Sequence, residues 1–247
     1  MADRGIFCGA FALAYSLLLF VCHRFYYFDM PKLPQLVIAA AVCTIPAWVA
    51  ARPATAENQV TRIVALGDSL TAGYGLRAVD AFPAQLEHAL RTNGYLVTVA
   101  NAGVTGDTAA MGLARLHRSI PENTDAVILE LGANDMLMGY EPSLTRGSLV
   151  AIMQNLKARH VPVLLCGVRT QPERGDDYKR AFATMFAELA SEYNLLFYPA
   201  FDDAFVDDAR LKLSDDLHPT AVGIEAVVAR ILPKVEALID RARRKDR

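Results

Sequence analysis

From Arg62 onward, short β-branched or leucine-rich runs alternate with longer segments of helical period, and no other feature restricts the fold of this chain so tightly. Strands are predicted at Ile63–Leu66, Leu96–Ala100, Ala126–Leu131, Val161–Val168 and Leu195–Tyr198. Helices are predicted between them, at Phe82–Thr92, Thr108–Ser119, Ser143–Arg159, Tyr178–Tyr193 and Thr220–Arg243. Repeated βα units bury both faces of a sheet, so the expected fold class is α/β: three-layer α/β/α around a five-stranded parallel sheet. Capping residues agree. Asp107 or Thr108 can open the second helix, Asn93-Gly94 can stop the first, and Pro219 stands where a first-turn proline belongs.

Composition matters for what precedes this pattern. The 247 residues are 53% hydrophobic and 21% charged, too apolar for an average globular domain and too charged for a multi-span membrane protein. The surplus lies in residues 1–56, in the stretches Ile6–Val21 and Leu36–Ile45. The second stretch has the form of a secretory signal, with Lys32 before it and Ala54-Thr55-Ala56 as a cleavage site ahead of Glu57. Met30 is then the more natural start. The expected division is a signal peptide or anchor over residues 1–56 and one domain over residues 57–247, periplasmic or secreted; an uncleaved, membrane-anchored N-terminus is the alternative. Three of the four cysteines, Cys8, Cys22 and Cys43, fall in the leader. Cys166 alone remains, on an apolar run, and reads as a buried core thiol without a disulfide partner. The remaining domain is mildly acidic, which argues against nucleic acid as a partner.

In an open parallel sheet, ligands bind beyond the carboxyl ends of the strands, so the residues just past each strand carry the functional information. Past the first comes Gly67-Asp68-Ser69-Leu70-Thr71-Ala72-Gly73. A serine at a strand-to-helix turn is placed for nucleophilic attack, and it is equally a common helix cap. Thr71 stands where a Gly-x-Ser-x-Gly elbow has its second glycine, and no lysine makes a phosphate loop. Asn101-Ala102-Gly103-Val104-Thr105-Gly106-Asp107 follows the second strand and Gly132-Ala133-Asn134-Asp135 the third, each also acceptable as a turn. Asp215-Asp216-Leu217-His218-Pro219 precedes the last helix; an acid three residues before a histidine can hold the tautomer that accepts a proton on the far nitrogen. His88, His117 and His160 fall on or at the ends of amphipathic helices and read as surface residues.

Ser69, Gly103, Asn134 and His218, in that order and each after a different strand, resemble the four blocks of the GDSL or SGNH hydrolase superfamily over about residues 62–232. The first block, through Gly-Asp-Ser-Leu-Thr-Ala-Gly-Tyr-Gly, looks most like the branch of periplasmic acyl-CoA thioesterases, lysophospholipases and arylesterases. The resemblance implies a flavodoxin-like sheet, with Ser69 as nucleophile, His218 as base and then acid, and Asp215 orienting it. It also implies an oxyanion hole of the Ser69 and Gly103 N–H groups and the Asn134 amide. Asp216 is left to solvent, and Asp68 and Asp135 brace their loops. Ala133 departs from the family's glycine, and the stretch between Pro199 and Asp215 is short.

The implied function is a serine esterase acting on acyl esters, and on thioesters, by way of an acyl-enzyme. Leu76, Leu137, Met138 and Pro172 are the expected substrate-pocket residues. An acetylesterase of cell-wall polysaccharide or peptidoglycan is the alternative, and a non-catalytic binding protein on the same fold the second alternative. No metal or organic cofactor is implied. The expected partner is a small-molecule or lipid acyl substrate, with membrane contact only through the N-terminal segment or such a lipid, and the expected state is a monomer or small homo-oligomer.

Overall fold

The computed structural model describes residues 60–169 and 175–245. The leader and Pro172 lie outside the described residues. Five parallel strands, β1 (Thr61–Gly67), β2 (Val97–Gly103), β3 (Ala126–Glu130), β4 (Val163–Cys166) and β5 (Leu196–Tyr198), form one sheet in the order β2-β1-β3-β4-β5. The helices are α1 (Ser69–Ala72), α2 (Phe82–Thr92), α3 (Ala109–Ala114), α4 (Leu116–Ser119), α5 (Ala133–Met138), α6 (Pro142–Ala158), α7 (Asp176–Glu192) and α8 (Ala221–Lys245). All five expected strands and the long helices are present, with ends shifted by a few residues.

The pleat explains the three layers. Ile63 and Ala65 of β1 point to a core shared with Phe82, Leu86 and Leu90 of α2 and with Ile224, Val227 and Ile231 of α8. Val64 and Leu66 point the other way, to Leu149, Ile152 and Leu156 of α6 and Phe182 and Phe186 of α7. Both faces are dry, so these strands read as continuous apolar runs, and each large side chain so buried contributes roughly 1.5–3 kcal/mol.

The predicted helix at Thr108–Ser119 is two helices. Arg115 breaks it with φ −105° and ψ 5° between α3 and α4. Its buried guanidinium turns back toward the sheet, donating to Gly67 O at 3.0 Å and Ala102 O at 2.9 Å and pairing with Asp107. Satisfying two strand-end carbonyls and a buried carboxylate outweighs an unbroken helical ladder. Thr108 is the cap of α3, its side chain accepting from Met111 N–H. At α8 the Thr220 hydroxyl accepts from Gly223 N–H, and Pro219 lies one residue before it, bridged to Lys212.

The chain leaves β1 toward β2 on one side and continues to β3 on the other. The resulting switch point lies at the carboxyl ends of β1 and β3, where the short helices α1 and α5 begin.

Candidate active site

α1 places Ser69. The Asp68 carboxylate accepts from Leu70 N–H at 3.0 Å, opening the helix, and Ser69 is its first residue. Its N–H, as a first-turn donor, has no helical acceptor. The loop before α8 brings His218 to it: Leu213 N–H donates to His218 O at 2.7 Å and Asp216 N–H to Leu213 O, pinching residues 213–218 into a tight turn. His218 Nε2 then lies 2.9 Å from Ser69 Oγ, and His218 Nδ1 lies 2.8 Å from Asp215 Oδ2.

Asp215 is fixed and charged. Its Oδ1 accepts from the N–H groups of Leu217 and His218, both at 3.0 Å. The His218 backbone bond foremost, then the ring and Leu217 N–H, hold its pKa at about 2. A permanent carboxylate on Nδ1 keeps the proton there, so Nε2 is free to accept the Ser69 proton. Asp216, its neighbour, makes an ion pair with Lys212 at 2.6 Å and leaves most of its side chain in water. The Tyr74 ring lies against the imidazole, centroids 4.4 Å apart.

α5 places Asn134 beside the serine. Asn134 Nδ2 donates to Asp107 O at 2.9 Å and to Asp68 Oδ2 at 3.1 Å. Asp135 braces the loops, accepting from Ala109 N–H and the Thr145 hydroxyl. Gly103 requires correction. Its N–H donates to Asn101 Oδ1 at 2.9 Å, so it has no free donor to offer, and a Cβ there would meet Ala72 N at 2.3 Å. It is a close-packing glycine between β2 and α1. The glycine at the cavity is Gly106, three residues on, with φ +85° and nothing within 4 Å of the side it turns outward. Its N–H has no acceptor among the described residues.

These residues face a cavity of about 400 Å³. Ser69, Thr105, Gly106, Asn134 and His218 form its polar end; Met136, Leu137, Val168, Phe201, Phe205 and Val206 form an apolar wall. At the rim Arg169 pairs with Asp207. Of the expected pocket residues Leu137 is in the wall. Leu76 instead packs on the α2/α8 core, and Met138 projects into solvent, because the short α5 turns only its other face inward. The stretch that reads as short, between Pro199 and Asp215, supplies the aromatic wall. Its Phe–x–x–x–Phe spacing, Phe201 to Phe205, was the available signal.

Residues 65–226 match the GDSL-like lipase/acylhydrolase family. An arylesterase of Vibrio mimicus is 33% identical over 165 residues, 66% of this chain and 82% of the relative. The esterase TesA of Pseudomonas aeruginosa is 30% identical over 186 residues, 75% of this chain and 92% of the relative. Among solved structures, AlinE4, an SGNH-hydrolase family esterase, matches with a TM-score of 0.61 and 40% identity over 72% of this chain and 96% of that one. The family match, the sheet order and the serine and histidine meeting at its switch point lead to one conclusion: the chain belongs to the GDSL-like lipase/acylhydrolase family and is a carboxylic ester hydrolase.

Proposed function

We propose that this chain hydrolyses acyl esters by two-step acyl transfer on Ser69. The observation that carries the reading is the unbroken Ser69–His218–Asp215 hydrogen-bond chain at the polar end of an apolar cavity. His218 takes the Ser69 proton as Oγ attacks the ester carbonyl and returns it to the leaving alcohol. Water then repeats the sequence on the acyl-enzyme and releases the acid. The oxyanion hole consists of the N–H groups of Ser69 and Gly106 and the Asn134 amide, whose longer bond, to Asp68, is the one shared with the developing charge.

The acyl chain lies along Met136, Leu137, Phe201 and Phe205. An apolar wall of that extent favours chains longer than acetyl over a cell-wall acetylesterase. A relative named thioesterase 1/protease 1/lysophospholipase L1, 34% identical over 158 residues, supports thioesters and lysophospholipids as further substrates. The A-x-A site before Glu57 supports export. Among the described residues no helix is long and apolar enough to cross a membrane.

Replacing Ser69 with Ala is expected to abolish hydrolysis of p-nitrophenyl esters and labelling by a fluorophosphonate, with the fold intact by circular dichroism. Retained turnover would sink the assignment. The same assay across acetate, butyrate and octanoate esters gives the chain-length preference, and the N-terminal mass of the exported protein gives the cleavage site.

A further inference from the structure

β3 is apolar until its last residue. Ala126, Val127, Ile128 and Leu129 are followed by Glu130, with 0% of its surface exposed, directly beneath the turn that carries Ser69. Glu130 Oε2 accepts from the Thr71 hydroxyl at 2.7 Å and from Asp68 N–H at 3.4 Å, so it holds α1 both at its cap and at its third residue. Gly67, its register partner on β1, makes the approach possible: a Cβ there would lie 2.6 Å from Glu130 Oε2 and 2.1 Å from Thr71 Oγ1. Glu130 Oε1 is buried and has no hydrogen-bond partner among the described residues.

A carboxylate with one oxygen unpartnered in a dry interior is far costlier than a carboxylic acid in the same place. Among the described residues, the groups facing Glu130 offer no positive charge to offset it. Cys166 is opposite on β4, Asp68 adjoins from the α1 turn, and Asp202 approaches from beyond β5. The Arg115 guanidinium, held on the Gly67 carbonyl, is matched by Asp107. Burial, with the Asp68 carboxyl beside it, pushes the Glu130 carboxyl up, and burial likewise raises Asp68, to about 7.

Resting on Ser69 as the nucleophile, we propose that Glu130 is a positioning residue that seats the Ser69 turn as a neutral acid, Oε2 accepting from Thr71 and Asp68 and Oε1 holding the proton. The route to the reacting atoms is short. Thr71 and Asp68 flank Ser69, and the Asp68 carboxylate also holds Asn134. A charge gained at Glu130 enters a site that must stabilise a developing oxyanion, so ionisation with rising pH slows the chemical step.

Three variants, each normalised to the fluorophosphonate-reactive fraction, test this on p-nitrophenyl butyrate. Glu130→Leu leaves the Thr71 hydroxyl and Asp68 N–H without their acceptor and is expected to lower kcat roughly tenfold to a hundredfold with KM little changed. Thr71→Val, which keeps Glu130 and the packing, lowers kcat in the same direction by less and carries the test if the leucine variant does not fold. Glu130→Gln, uncharged and of the same shape, keeps the greater part of the neutral-pH rate and lacks the alkaline fall in kcat of the parent. A glutamine variant as impaired as the leucine, an alkaline limb identical to the parent's, or leucine and valine variants with full kcat per labelled site each overturn the proposal. If the parent itself is not labelled at Ser69, the nucleophile assignment has failed instead.

Discussion

Asp215 and Glu130 stand on opposite sides of the same serine. Asp215 sits at the surface beside His218 with 38% of its side chain in solvent, and Glu130 lies fully buried beneath α1. Three donors converge on Asp215, two backbone N–H groups and an imidazole, and its pKa falls to about 2. Glu130 receives one hydroxyl and one long N–H contact on a single oxygen, and burial pushes its carboxyl the other way. The two residue types have nearly the same intrinsic acidity, so environment alone separates a permanent anion in front of the serine from a neutral acid behind it. The signs of their pH effects also differ. Stability from Asp215 is present above the ordinary carboxylate range and is lost as pH falls toward 2. With Glu130 raised, the favourable state lies below the ordinary range, and stability is lost as pH rises toward its elevated value.

The largest break in this comparison comes from neutralising the front acid. In Asp215→Asn the amide can donate to His218 Nδ1, which turns the imidazole to the tautomer that presents N–H, and not a lone pair, to Ser69. Steady-state kcat is expected to fall by roughly 10²–10⁴, the upper figure being that of the buried aspartate in the serine-protease template. Acid unfolding followed by circular dichroism should lose part of its dependence between pH 4 and pH 2. A variant with near-parental kcat would show that Asp215 does not set the tautomer.

Asn134 joins the two sides, since its amide contacts Asp68, which in turn rests on Glu130. Asn134→Ala is expected to lower kcat roughly 10²–10³-fold, the loss of one oxyanion donor, with KM little changed. It also leaves the buried Asp68 carboxylate short of a donor, so a modest loss of Tm accompanies it. A fall in Tm alone, with kcat kept, would assign Asn134 to the scaffold.

The framework was legible because its signals are local and repeated. Runs such as Ile63–Leu66 are apolar throughout because both faces of β1 are covered, and α2 shows its buried face at Phe82, Leu86 and Leu90 in plain helical period. α1 and α5 were not legible as helices, since four and six residues are too few to display a period. The His218–Asp215 contact was readable because Asp215-x-x-His218 closes on itself over one turn. The error at Gly103 has the opposite cause: two glycines share one short motif, and which N–H is free depends on whether a neighbouring side chain takes it. Asn101, two residues before Gly103, is the spacing of an Asx turn, the same arrangement as Asp68 to Leu70 and Asp215 to Leu217, and it takes the Gly103 N–H. That spacing points to Gly106 as the glycine left with a donor. Glu130 was equally visible as a charge ending an apolar strand, but its partners come from β1 and α1, about sixty residues earlier, and no local pattern connects them.

The smallest expected effect tests how far the open side is open. His218 keeps only 11% of its side chain in solvent although its partner Asp215 keeps 38%, and the Tyr74 ring, tilted 35° to the imidazole, supplies part of that cover. Tyr74 is itself 48% exposed, so its removal costs the fold little. Tyr74→Ala is expected to lower kcat roughly two- to tenfold, the worth of one aromatic contact, by letting water compete for the Ser69–His218 and His218–Asp215 bonds. Tyr74→Phe keeps the ring and should keep the rate. If both variants lose activity alike, the hydroxyl and not the cover is what matters. If neither does, His218 is held by Asp215 and its loop alone, and the front of the site owes its order to hydrogen bonds in water, where the back owes its own to exclusion of water.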